Sequence, residues 1–163
     1  MHQDNYNVQR VHKVNIVITI ILVFLICIPV VLSRGITDGI PIVIAGLSVL
    51  VISIITYFLP IKEYVKGFCL SLLPCVVVIA LFVADGYALN KHYIIFLSIA
   101  MVTLYFKKEL IIALGSIIDL AYIFLFFTYA ENLLGINKDL RGFLTVFFII
   151  NRIIILLYLL TKW

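Results

Sequence analysis

Charge is what this sequence is shortest of. Asp, Glu, Lys and Arg make up only 12% of its 163 residues, while 65% are hydrophobic. Soluble domains are about half apolar and about a quarter charged, so a chain this poor in charge has too little polar surface to cover a core in water. Cysteine is scarce too. Cys27, Cys69 and Cys75 stand singly in or at the ends of apolar stretches. No His or carboxylate accompanies them at ligand spacing, so they read as small buried hydrophobes and not as a metal site or a disulfide framework. The three histidines, His2, His12 and His92, lie in the N-terminal tail or at a helix start, without a partner at metal or catalytic spacing. No Ser-His-Asp arrangement, phosphate-binding glycine loop or zinc signature occurs. The expectation is no catalytic residue, no metal and no cofactor, hence not an enzyme. The net charge of +4 is scattered singly or in pairs at the ends of apolar stretches. Without a basic stripe, it argues against a nucleic-acid partner.

Long apolar runs fill what remains. Mean hydropathy is +1.26, and the runs are continuous where barrel strands would alternate. They predict an all-α integral membrane bundle of six transmembrane helices, near residues 14–33, 40–59, 67–84, 93–106, 110–130 and 143–160, after a tail over 1–13. The first run exceeds the apolar core of a signal peptide and lacks a small-residue cleavage site, so it reads as a retained signal anchor. Gly35 and Gly39 fall beside Arg34, Thr37 and Asp38 and read as turn glycines. Pro41 suits the start of the second span, whereas Pro29 and Pro74 fall inside spans and are expected to kink them. Short loops make consecutive helices antiparallel neighbours.

Lys and Arg near the span ends set the orientation. Arg10, Lys13, Lys62, Lys66, Lys107, Lys108 and Lys162 fall on one side, against Arg34, Lys91, Lys138 and Arg141 on the other. Seven against four places both termini in the cytoplasm and the chain in the plasma membrane. Aromatic belts agree, with Tyr57, Phe58, Tyr64, Tyr105, Phe106 and Trp163 inside and Tyr87, Tyr93, Tyr129 and Phe143 outside.

Two charges interrupt the last two runs. Asp119 precedes position 136, in the loop joining them, by 17 residues, and Arg152 follows it by 16. In an antiparallel hairpin rising about 1.5 Å per residue, both reach one level near mid-bilayer. Charges there are costly unless they pair or serve a function, so an Asp119–Arg152 ion pair facing the bundle interior is expected. Asn151, Ser116, Tyr122 and Thr145 are its expected polar neighbours, since Gly115, Ser116, Asp119 and Tyr122 recur at helical spacing, as do Thr145, Phe148 and Arg152. Such a pair fixes helix register or carries a signal; a proton pathway needs more ionisable groups. The aromatics beyond the pair, Tyr122, Phe124, Phe126, Phe127, Tyr129, Phe143, Phe147 and Phe148, suit lipid packing, or else an aromatic pocket for a small apolar or cationic ligand.

The stretch Val11-His12-Lys13-Val14-Asn15 and the segment Leu104-Tyr105-Phe106-Lys107-Lys108-Glu109-Leu110-Ile111-Ile112 resemble the membrane region of clostridial-type methyl-accepting chemotaxis proteins with six membrane helices. The resemblance covers the whole chain in layout and rests on those two motifs. It implies a sensory input domain of a bacterial receptor that signals through its last helix. The output would be a cytoplasmic signalling domain or kinase complex beyond Trp163, absent from this chain, and dimerisation with a second copy would accompany it. The lipid bilayer and a small-molecule ligand complete the expected partners. The rival readings are a small membrane transport component, of the kind formed by six-helix substrate-binding subunits, and a structural or assembly membrane protein.

Overall fold

A computed structural model describes residues 2–135 and 139–161, with side chains for all of these except residues 2–7, 33, 34, 38, 85, 89 and 90. Lys138, Lys162 and Trp163, assigned above to the two interfaces, lie outside the described residues, as do the side chains of His2 and Arg34. Every regular element among the described residues is helical: α1 (His2–Phe58), α2 (Glu63–Asp85), α3 (Leu89–Thr103), α4 (Lys108–Thr128), α5 (Ala130–Leu134) and α6 (Leu140–Leu160). Five stretches are long and apolar enough to cross a membrane: Val8–Leu32 and Gly39–Phe58 within α1, Glu63–Ala84, Lys108–Thr128 and Leu140–Leu160. The fourth expected span is the shorter apolar helix Lys91–Thr103. The residues of the expected tail are helical from His2 onward and run without a break into the first apolar stretch.

Two compact units divide the chain, Met1–Pro74 and Cys75–Trp163, with the boundary inside α2. In the first, α1 is one helical run broken at a single residue. Gly35 has φ 82° and ψ 170°, a backbone state open to glycine and closed to most side chains. Its arms fold back in antiparallel register. A Cβ on Gly39 would lie 3.1 Å from Val31, and one on Gly46 would lie 2.9 Å from Val23 and 3.0 Å from Cys27. These pairs sum to 69–73 in residue number, which centres the turn on residue 35. Gly35 is thus the turn glycine, whereas Gly39 is a helical residue that admits the opposite arm. Pro29, Pro41 and Pro74 all lie inside continuous helical runs.

In the second unit α4 packs against α3 and α6. Its buried residues Ile111, Leu114, Gly115, Ile118, Tyr122, Leu125 and Phe126 recur at intervals of three and four, the spacing of one helix face. The α4–α6 connection holds the five-residue α5, ended by Gly135 in the left-handed region. Asp139 then caps α6, its carboxylate accepting from the backbone N–H groups of Arg141 and Gly142 at 3.0 Å each. Asp139→Ala removes both acceptors, and thermal unfolding in detergent should register a loss of about 1 kcal/mol.

Candidate functional site

The end of the second unit where α2 stops and α3 starts is held by side chains that the linear sequence presents as unremarkable. A helix ends on carbonyls without intrahelical partners, which favour a cation. Lys91, only 5% exposed, supplies one: its Nζ donates to the Gly86 carbonyl just past the end of α2 and to the Leu81 carbonyl about one turn back at 2.8 Å. It also lies over the Phe82 ring, 5.5 Å from the centroid.

Its neighbour His92 joins three elements. The Leu133 carbonyl on α5 lies 3.1 Å from Nε2, and the Tyr122 hydroxyl on α4 lies 2.8 Å from Nδ1. A carbonyl can only accept, so Nε2 carries a proton. In the neutral ring Nδ1 is then an acceptor, and Tyr122 donates to it. Phe82 and Tyr87 flank the imidazole, with ring centroids 5.0 and 6.0 Å away. Asn132 donates to the Val83 carbonyl at 3.1 Å, and the Tyr87 ring packs over Gly135, where a Cβ would come within 2.8 Å. Residues 129–135 thus form a cap tied down at both Asn132 and Leu133.

Beside this cap lies a cavity of about 270 Å³, lined by Tyr87, His92, Tyr93, Phe96, Leu133, Leu134, Gly142, Val146 and Ile149. Among the described residues its lining is apolar and aromatic, with no carboxylate, Lys or Arg. None of the eight aromatics that suit lipid packing, or else a pocket, lines it. Phe124, Phe127, Tyr129 and Phe148 are exposed, in keeping with lipid packing. Phe126 and Phe143 instead stack on each other, with centroids 4.2 Å apart. The cavity arises from α3, α5 and α6, which sequence position alone does not bring together.

The expected Asp119–Arg152 pair does not form within the chain. Asp119 accepts instead from Asn151, Nδ2 to Oδ1 at 3.0 Å, while Arg152 is exposed. Among the described residues Arg152 has no hydrogen-bond or ion-pair partner. The reason is rotational. Ile150, 1% exposed, marks the buried face of α6, and at about 100° per residue Arg152 stands roughly 200° around from it. Thr145, Phe148 and Arg152 do share one side, and that side is exposed. Thr145 bonds back to the Arg141 carbonyl at 2.8 Å. Ser116 is exposed, and Tyr122 serves His92. Of the four expected polar neighbours, Asn151 alone meets Asp119.

The first unit holds a second polar cluster. His12, Asn15 and Thr19, spaced by three and four, are each at most 1% exposed. His12 Nε2 lies 2.8 Å from Glu63 Oε2, and Lys66 Nζ lies 3.6 Å from the other Glu63 oxygen. Asn15 Nδ2 donates to Ser71 Oγ at 3.5 Å. His12, placed by its sequence position in the N-terminal tail, is therefore buried with a carboxylate partner 51 residues away. Among the described residues no group of three or more His, Cys, Asp and Glu is placed to hold a metal ion.

Comparison with protein-family models, with curated proteins and with solved structures gave no match to this chain.

Proposed function

We propose that the chain is a membrane-embedded sensory input bundle with six spans and both termini in the cytoplasm, set in a bacterial plasma membrane. It binds a small uncharged, mainly apolar molecule and passes the event through α6 to a cytoplasmic output. It works by binding and not by catalysis. One observation carries the reading. Gly142, Val146 and Ile149 of α6 wall the cavity beside the His92 cap, so an occupant bears directly on the last helix. The lining suits an aromatic ring or short alkyl group, because its described residues offer apolar surface and ring faces and no formal charge to pair with an ion. A dry cavity of about 150 Å³ accommodates benzene, so the larger volume here suits a molecule of one or two rings. The resemblance to chemotaxis receptors supports the same output route, and the seven-to-four distribution of Lys and Arg supports the orientation.

The test uses indole and phenol as probes with the full chain in lipid vesicles. Either probe should raise thermal stability and shift a spin label at the cytoplasmic end of α6. Val146→Phe, which fills the cavity, should abolish both effects while preserving the fold. The reading fails if neither probe alters the label, or if Val146→Phe leaves the response intact. Probe-specific flux across the vesicle, lost in Val146→Phe, would instead support the transport reading.

A further inference from the structure

An arginine at mid-helix on an outward face is expensive in a bilayer. Scales for insertion place the cost at about 2.5–3.5 kcal/mol at the centre of a span, and such residues nearly always face protein or water. Arg152 lies twelve residues from Leu140 and eight from Leu160, about 12 Å from the nearer end of α6. Leu144, Phe148, Ile155 and Leu159 on the same side are 39–59% exposed, so the surroundings of the charge are apolar. Among the described residues of its own unit nothing supplies the partner it requires.

A candidate acceptor lies at the edge of the same surface. Asp119 is half-buried, and one of its oxygens accepts from Asn151. Among the described residues the other oxygen has no hydrogen bond. The Asp119–Asn151 bond also constrains depth: Arg152 follows Asn151 in sequence, so its backbone lies about 1.5 Å along α6 from a residue that touches Asp119. That coincidence matters for one kind of partner in particular. Two copies related by a two-fold axis along the membrane normal keep every residue at its own depth, and their shared patch must be self-complementary. A cation and a carboxylate at similar depth, the first exposed and the second half-buried at the edge of its surface, that do not pair within one copy, satisfy both conditions.

We propose that the exposed face of α6 is an interface between two copies of this chain, in which Arg152 of each copy pairs with Asp119 of the other. The interface has two symmetric ion pairs flanked by Leu144, Phe148 and Ile155. Charge complementarity at similar depth is what selects a second copy over an unrelated helix. The pairing also keeps both charges off lipid. Asn151, by holding one oxygen of Asp119, turns the other toward the partner.

Complementation between two variants tests it. Arg152→Leu retains the carboxylate, and Asp119→Asn retains the acceptor for Asn151. Donor- and acceptor-labelled copies of the full chain are mixed in lipid vesicles and their association is read by energy transfer. Wild-type copies should associate. Each variant alone loses both contacts and should associate about tenfold more weakly, the scale of two ordinary interhelical polar contacts. The mixture of the two should associate about threefold more tightly than either variant alone, because a mixed pair rebuilds one of the two Asp119–Arg152 contacts. Protection of the buried Cys75 thiol confirms that each variant is folded. The proposal is overturned if wild-type copies stay monomeric, if folded single variants associate as wild type does, or if the mixture associates no better than each variant alone.

Discussion

Replacing His92 with Ala is expected to lower the melting temperature by roughly 5–10 °C, corresponding to about 2–3 kcal/mol for a chain of this size. The substitution deprives the Tyr122 hydroxyl and the Leu133 carbonyl of their shared partner in one step, and Tyr122 is fully buried. It also removes the ring flanked by Phe82 and Tyr87. Two further variants separate those contributions. His92→Phe keeps a ring but leaves both partners unmet, so it should lose most of the same stability. Tyr122→Phe strands only Nδ1 and should cost less, about 1 kcal/mol. In the double variant His92→Phe/Tyr122→Phe, apolar rings replace both ends of one bond, and its loss should be smaller than the sum of the two single losses. Thermal unfolding in detergent, followed by dye reaction of the buried Cys75 thiol, measures all four. Additive losses would mean that the His92–Tyr122 contact contributes nothing of its own.

Gly46→Leu should have a comparable effect in the first unit. A Cβ at this position already meets Val23 at 2.9 Å and Cys27 at 3.0 Å, and three more carbons would follow it into the contact between the arms of α1. Small residues permit close helix approach in membranes, where dense packing replaces much of the hydrophobic drive. Overpacking of this kind costs about 1–3 kcal/mol. Gly46→Ala should cost far less, since Val23 Cγ1 and Cys27 Sγ are side-chain atoms that can yield by a few tenths of an ångström. The same substitution at Ile44, which is 58% exposed on that arm, should be near neutral and serves as the control. Equal losses for Gly46→Leu and Ile44→Leu would show that the arms do not depend on this close approach.

How much of this was legible in the sequence depends on whether a feature is set by position along a helix or by rotation around it. Helix content and the long apolar stretches follow from composition, because each run carries its own hydropathy. The turn at Gly35 was legible as well, since only a glycine beside polar residues tolerates that backbone. The matched level of Asp119 and residues 151–152 followed from counting through a short loop. The partner did not follow. Asn151 and Arg152 differ by one residue in depth and by about 100° in direction, and only the packing of α4 on α6 decides which of them turns toward Asp119.

The missed residues have the same origin. His12-x-x-Asn15-x-x-x-Thr19 is a polar stripe at helical spacing, which could have marked a buried face, but its partner Glu63 lies 51 positions away. Lys91 was read as an interface charge, yet it caps the end of α2. His92 stood alone in sequence because its partners lie on α4 and α5, 30 and 41 residues on. By itself, then, the sequence determined the helices, the length of the apolar stretches and the matched level of Asp119 and residues 151–152, because local hydropathy and a fixed rise per residue set these. Tertiary structure alone decided that Asp119 meets Asn151, that Arg152 faces outward and that His92 closes a cavity against the last helix. Those outcomes depend on the rotation of packed helices, which no single segment encodes.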